Sequence, residues 1–466
     1  MNNLNFLVDV LKESPVFKTL EKNVKPGRTV CASGLSTINK SNIIYALCRL
    51  KGVTAFCLAS DEKEAQTLCN DLSCMGLRAY VYPVRDFNFL DFQSRSHEYE
   101  HARLKVLLKL INHECDVAIA CVDAAAQLTV PRNVLEQSVI EFEEGRELSL
   151  EKATKALTLL GYERFDAVEG SGQFSLRGGI LDFFMPDSDY PVRCEFWGDE
   201  ITDLSYFDIE TQRRFKKADK IMLSPSTEIV IEDRAALADK IEHKAKLLRS
   251  KNSAKAKEKL FSEAELIRSG AMIANADKFI NQIYDKPESL FDYLDRNTLV
   301  FASEFTAIQE RGKSMDFISN ETLMQGFEDG TLCRGFDRFA LTFNECTEFL
   351  QSHGTIVLEN FVHGSMPIKL SEIISFSTKQ LSAWGGSYKQ LKEDVDGLFT
   401  PESKGVIFAG TERAAKNLCD TFNADGINAV YSEGADKISK GELLVMQGAL
   451  SAGFEYPSQK FFAITY

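Results

Sequence analysis

From residue 27 to about 125, short apolar runs alternate with stretches whose apolar residues recur every three or four positions. The runs at 29–32, 54–59, 79–82 and 116–121 predict strands, and 40–51, 61–75 and 97–112 predict helices between them. This alternation is the mark of a parallel α/β sheet. From about 129 to 222 the texture changes to strands and turns with one helix at 149–160, for which Ser149 is a suitable cap. Residues 223–371 return to helices around an apolar strand at 298–302. A last α/β block carries strands at 405–409, 429–431 and 442–446, a helix at 411–423 capped by Thr411, and a terminal apolar run at 460–466.

Within the middle segment, 172–184 and 191–201 read as two strands joined by the turn-forming residues 185–190. Alternation puts Val192, Cys194 and Phe196 on one face, and Arg193, Glu195 and Trp197 on the other. Ser175 and Arg177 alternate in the same way with Phe174 and Leu176. The first face suits a core. The second combines arginine with tryptophan, residue types enriched where protein interfaces carry their energy. A half-buried sheet with solvated charges produces the same alternation. Asp182 and Glu195 flank the arginines and are expected to tether them.

With 466 residues, three or four domains are the natural expectation, and a 44% hydrophobic fraction supports sizeable cores. No apolar run approaches the roughly 20 residues of a membrane span, and residues 1–6 lack a signal-peptide pattern. The 11 cysteines are scattered, and Cys69 and Cys74 have no second pair to complete a zinc site, so reduced thiols in a cytoplasmic protein are expected. A net charge of −14 argues against a chain whose main task is coating DNA. The densest basic stretch holds Lys244, Lys246, Arg249, Lys251, Lys255, Lys257 and Lys259. It reads as a helical, solvated face, with a weak DNA contact as the alternative. His97 and His101, four apart beside Arg103, read as a solvated helix face over a metal pair.

Gly34-Leu-Ser-Thr-Ile-Asn-Lys-Ser41 lies between a strand and a helix, the place of a phosphate loop. Gly34, Lys40 and Ser41 fit that pattern, but Asn39 replaces the second glycine and brings a side chain where backbone should approach phosphate. Lys40 and Ser41 read equally as the first turn of a helix packed by Ile43, Ile44, Leu47 and Leu50.

Segments 172–184 and 191–201, followed by Phe207-Asp208 and Gln212-Arg213, resemble the second domain of UvrB and of the transcription-repair coupling factors. Both kinds of protein dock on UvrA through that domain. The stretch 86–94, with Glu100-His-Ala-Arg103 and Leu107, is similar to the segment after the third strand of the coupling factors' first domain. The resemblance runs in order from about Gly34 to the C-terminus, as pattern more than identity outside 160–225.

It implies an α/β multidomain chain. A degenerate P-loop, helicase-like parallel-sheet domain (1–128 and 223–371) would hold an inserted α+β UvrA-binding domain (129–222), followed by a small α/β domain (372–466). It also implies that Arg177, Arg193 and Trp197 face UvrA, with Trp197 where phenylalanine is more usual. The strand 299–304 is similar to the one where UvrB places an Asp-Glu pair; here Ser303 and Glu304 stand there. A serine cannot supply the anionic charge that a Mg²⁺-bound triphosphate favours. The expectation is therefore no catalytic residue, metal or cofactor in this chain, with ATP and Mg²⁺ serving a motor elsewhere in the parent protein. That parent, by the resemblance, is an ATP-dependent DNA translocase that displaces stalled RNA polymerase and recruits UvrA. Its partners are UvrA, RNA polymerase, double-stranded DNA and its own C-terminal domain, with no membrane. The chain is expected to be its N-terminal portion, lacking the motor and breaking off within 460–466. The alternatives are a UvrB-type ATP-dependent damage-recognition enzyme and a non-catalytic scaffold.

Overall fold

The computed structural model describes residues 4–85, 97–249, 253–270, 276–361, 366 and 368–466, so the stretch 86–94 that carries part of the resemblance lies outside the described residues. Its first sheet has seven parallel strands, in the order Glu372–Ser375, Val30–Ser33, Thr355–Glu359, Leu299–Ser303, Ala55–Ala59, Val117–Cys121 and Ala79–Tyr82. Helices Thr37–Lys51, Glu62–Cys74 and Glu98–Ile111 connect the strands of the first chain segment. Both sheet faces are covered by buried clusters, which explains why these strands read as continuous apolar runs. Strands from before and after the middle segment interleave in this one sheet. The chain therefore leaves it after Val117–Cys121 and re-enters it at Leu299–Ser303.

Both crossings of that excursion are held by one buried arginine. Arg103 Nε donates to Glu228 Oε1 at 2.6 Å, its Nη1 donates to Gln127 Oε1 at 2.8 Å, and its guanidinium lies 4.2 Å over the Tyr82 ring. Thr129, where the chain departs, donates its hydroxyl to Glu228 Oε2 at 2.7 Å, where the chain returns. The sequence placed Arg103 on a solvated face. It is fully buried instead, because a carboxylate 125 positions away supplies its counter-charge. His101 is also half-buried, and burial lowers its pKa.

The excursion forms a six-stranded sheet in the order Arg214–Lys217, Glu200–Phe207, Val192–Trp197, Ile180–Phe183, Gln173–Arg177 and Glu163–Arg164. It is antiparallel except for the last pair. Helix Leu150–Leu159, capped by Ser149, packs on its apolar face through Ala153 and Leu157. The strand expected over 172–184 is a hairpin of two strands. Gly178 takes φ 62° at its turn, and a Cβ on Gly179 would press on the Phe196 carbonyl, so the Gly-Gly pair enforces the reversal. Likewise 191–201 bends at Gly198 into the next strand.

The basic stretch 244–259, expected as one helix, spans two: Arg234–Leu247 and Ser253–Arg268. They pack against each other through Leu237, Ile241, Leu260 and Ile267.

A third sheet, of six strands, runs Lys379–Leu381, Gly453–Tyr456, Phe461–Thr465, Lys404–Phe408, Glu442–Met446 and Ala429–Ser432. Helix Glu412–Ala424 begins on the Thr411 cap, as its sequence predicts. The strand Glu372–Ser375, at the boundary the resemblance implies for the last domain, pairs with Val30–Ser33 at the edge of the first sheet. Two N-terminal helices, Asn5–Lys12 and Pro15–Asn23, were not foreseen. Phe6 of the first sits 6.2 Å from Phe461 of the third sheet, within a buried cluster shared by both sheets. All 11 cysteines are free. No helix among the described residues is long and apolar enough to cross a membrane.

Candidate functional site

Two places carry the residues singled out by the sequence. The first is the polar face of the inserted sheet. Pairing Asp182 with Arg193, and Ile180 with both Arg177 and Glu195, sets Arg177, Asp182, Arg193 and Glu195 side by side on that face. Asp182 is buried and accepts from both arginines: from Arg177 Nη2 at 2.8 Å, and from Arg193 Nε at 2.7 Å and Nη2 at 2.8 Å. The two-point pairing with Arg193 uses the planar fork of the guanidinium. Arg193 also donates to the Gln212 carbonyl at 3.2 Å and side-chain oxygen at 2.9 Å, and lies 4.3 Å over the Phe207 ring. Its side chain is only 13% exposed, whereas that of Arg177 is 52% exposed. Glu195, expected to tether these arginines, pairs instead with Arg214, two strands away in the sheet. Trp197, at the strand end, is 82% exposed. The sheet thus holds one arginine rigidly, offers a second, and projects a large aromatic into solvent.

The second place is the loop at the C-terminal edge of the first sheet, where Lys40, Ser303 and Glu304 come together. Lys40 is 2% exposed and its Nζ donates to Glu304 Oε1 at 2.6 Å, Ser303 Oγ at 2.9 Å and Glu64 Oε1 at 3.2 Å. Ser303 in turn donates to Glu64 at 2.6 Å. Burial works against ionisation of Glu64, but Lys40, Ser303 and Ser60 outweigh it and hold the carboxyl below its usual range. Glu304 caps the helix Phe305–Asp329 in the left-handed region, at φ 55°, a costly conformation for a side chain with a Cβ. Glu359, fully buried, accepts from the Phe305 amide at 2.8 Å. Burial, reinforced by the Glu304 carboxylate, pushes its pKa up to about 7.

The first two amides of the loop are also in use. The Gly34 and Leu35 amides donate to the carbonyls of Asn360 at 3.2 Å and Glu359 at 3.1 Å. Gly34 has φ 79°, and a Cβ there would overlap the Phe376 carbonyl oxygen. Asn39 accepts from Ser36 Oγ at 2.7 Å and is fully buried, with Asn42, beside the Tyr456 hydroxyl of the third sheet. Ser41 donates to Asp71 Oδ2 at 3.2 Å; Asp71 also accepts from the amide and hydroxyl of Ser451 at 2.7 and 2.8 Å. Burial pushes the Asp71 carboxyl up against these bonds. A triphosphate needs a lysine free to meet it, and Lys40 already pairs with two carboxylates, so this lysine does not fit one.

Glu62, Cys121 and Asp123 lie close enough to hold a cation, but Arg311 donates to both carboxylates, at 2.7 Å to Asp123 Oδ2, and takes the cation's place. Sequence reasoning missed Glu64, Asp71, Glu359 and Tyr456. Their partners are remote in the chain, and no local pattern marks them.

Comparison with known proteins bears on the first place directly. The family described as the UvrB interaction domain matches residues 140–229, which contain Arg177, Arg193 and Trp197. The chain is 26% identical, over 98% of its length, to the transcription-repair-coupling factor of Bacillus subtilis (strain 168), covering 39% of that protein. It is 25% identical over 83% of its length to the protein of the same name from Staphylococcus epidermidis (strain ATCC 12228), covering 33%. Against that from Staphylococcus aureus (strain MRSA252) it is 22% identical over 99%, covering 40%. The chain spans about two fifths or less of the length of these relatives. The chain is thus similar, over nearly all of its own length, to part of the transcription-repair-coupling factors, and its residues 140–229 match the UvrB interaction domain family.

Proposed function

We propose that this chain is the UvrA-recruiting part of a transcription-repair coupling factor acting in nucleotide-excision repair. The observation that carries this reading is the polar face of the inserted sheet, where Trp197 stands in solvent beside an arginine pair organised by one buried aspartate. Trp197 and Arg177 contact UvrA, Trp197 filling an apolar pocket and Arg177 meeting a carboxylate. Arg193, committed to Asp182, Gln212 and Phe207, positions Arg177 and stiffens the face. The parent protein translocates on double-stranded DNA with ATP and Mg²⁺, displaces stalled RNA polymerase, and covers this face with its own C-terminal domain until the motor engages.

Within this chain the loop at Lys40 binds no nucleotide, a reading supported by the carboxylates around Lys40 and by the Gly34 and Leu35 amides, which bond to backbone carbonyls. That geometry weighs against the alternative of a UvrB-type ATP-dependent enzyme. The scaffold alternative draws on the buried pairing of Arg193 but leaves the exposure of Trp197 without a purpose.

Calorimetric titration of the chain into UvrA tests the proposal. Wild type is expected to bind at micromolar affinity or better, with Trp197→Ala and Arg177→Ala each weakening it by about 2 kcal/mol or more. A folded wild-type chain that gives no heat with UvrA would overturn it.

A further inference from the structure

Helix Phe305–Asp329 packs on its own domain along one side only. Phe305 and Ile308 are buried, Gly312 lies against the Phe343 ring and Gly326 against Leu332, and these four positions follow one side of the helix. The opposite side carries Lys313, Phe317, Asn320, Glu321, Met324 and Glu328, all exposed. At 3.6 residues a turn these form a stripe about 100° wide. Phe317 and Met324 lie two turns apart on it and are each more than half exposed; Ile318, at its margin, is equally open. Among the described residues nothing pairs with Lys313, Glu321 or Glu328.

The stripe reads the same in both directions. Its intervals are four, three, one, three and four residues, with lysine at one end, glutamate at the other, and the two apolar residues symmetric about the midpoint between Asn320 and Glu321. A second such helix laid antiparallel on that midpoint brings Lys313 to Glu328, Phe317 to Met324 and Asn320 to Glu321, each pairing occurring twice. A parallel copy would set lysine on lysine and glutamate on glutamate.

We propose that this stripe is a contact between two copies of the chain, related by a two-fold axis through the helix midpoints. Each Phe317 ring meets a Met324 thioether, a favourable sulfur–aromatic pairing. The Lys313–Glu328 pairs at the two ends fix the antiparallel register. A purely acidic or purely basic partner would satisfy one end of the stripe and oppose the other, whereas a second copy satisfies both. One helix face is at the small end of interfaces, below roughly 1,200 Å² in total, so the dimer is weak, on the order of tens of micromolar. The contact uses no residue of the strand face bearing Trp197, so it stands or falls independently of UvrA recruitment.

The test is sedimentation equilibrium of the whole chain from about 5 to about 300 µM in low salt, where wild type is expected to pass from monomer to dimer. Lys313→Glu and Glu328→Lys, each alone, place two like-charge contacts in the interface and should weaken dimerisation at least about tenfold. Mixed in equal amounts, the two variants should associate again as a heterodimer, and the double variant Lys313→Glu/Glu328→Lys should regain the wild-type affinity. Phe317→Ser should abolish association in every charge background. All three positions are exposed, so the circular dichroism spectrum should not change. A wild-type chain that stays monomeric over the whole range, a dimer indifferent to Phe317→Ser, or single-charge variants that fail to associate when mixed would each overturn the proposal.

Discussion

Replacing Lys40 by alanine separates a phosphate-binding lysine from a structural one. In a working phosphate loop the lysine is free until nucleotide arrives, so its loss leaves the fold intact and removes turnover. Here Lys40 is 2% exposed and is the ammonium between Glu64 and Glu304, at 3.2 and 2.6 Å. Removing it leaves two carboxylates in a pocket whose remaining donors are Ser303, Ser60 and the Asn360 amide. Breaking a buried pair in this way costs about 3–5 kcal/mol, most of it the uncompensated charge left behind. Hydrogen exchange read by mass spectrometry suits a multidomain chain, because it reports local opening free energies. In strands Val30–Ser33 and Leu299–Ser303, protection should fall by roughly 100-fold to several thousand-fold. Removing the charges as well, in Lys40→Met/Glu64→Gln/Glu304→Gln, should restore most of it, since apolar or neutral replacement of a whole buried ion cluster is close to neutral. A loss below about 1 kcal/mol, or protection of wild type by Mg-ATP that Lys40→Ala abolishes, would refute the structural account.

Glu359 gives the first sheet a pH dependence. Its folded pKa of about 7 lies above its ordinary 4.5, so its contribution is complete below about pH 4.5 and is lost as pH rises through 7. Allowing for solvent screening, about 2 kcal/mol is involved, and Glu359→Gln should flatten the stability–pH curve over that window; an unaltered slope would show that another group titrates. Gly34→Ala should cost about 2 kcal/mol or more, from the left-handed φ and the overlap with Phe376, measured as lost protection of strand Glu372–Ser375. Arg103→Ala removes the principal counter-charge of buried Glu228, leaving Arg85 at 3.7 Å and the Thr129 hydroxyl, and should cost about 3 kcal/mol, seen as a markedly lower midpoint of thermal unfolding; a near-normal midpoint would mean that Arg85 or water replaces the guanidinium. Trp197→Ala, by contrast, should change stability by less than about 0.5 kcal/mol, so that any lost UvrA affinity is a contact effect.

The parallel sheet was legible because its strands are apolar on both faces and its helices amphipathic, both local signals. So was the alternation that sets Arg193, Glu195 and Trp197 on one face. The Gly178-Gly179 turn was missed because the surrounding run is apolar enough to read as one strand, although the pair itself signals a hairpin. The asparagine at 39 and the serine at 303 set the loop apart from the phosphate-loop pattern, but gave no sign of what surrounds it. Its occupants, Glu64, Glu359 and Phe376, come from distant parts of the chain, and contacts of that range leave no periodic trace. Arg103 shows the same limit: a charge on a helix reads as solvated unless its buried partner is known.

The closed loop also bears on the history open to this fold. Completing the motif letters, with glycine at 39 and aspartate at 303, would leave the surroundings of the loop as they are. The carbonyls of Glu359 and Asn360 would still hold the amides, Phe376 would still press on Gly34, and Tyr456 would still stand beside position 39. Each letter that survives has acquired a different occupation: Lys40 as a counter-ion, Ser41 as a donor to the aspartate that holds Ser451.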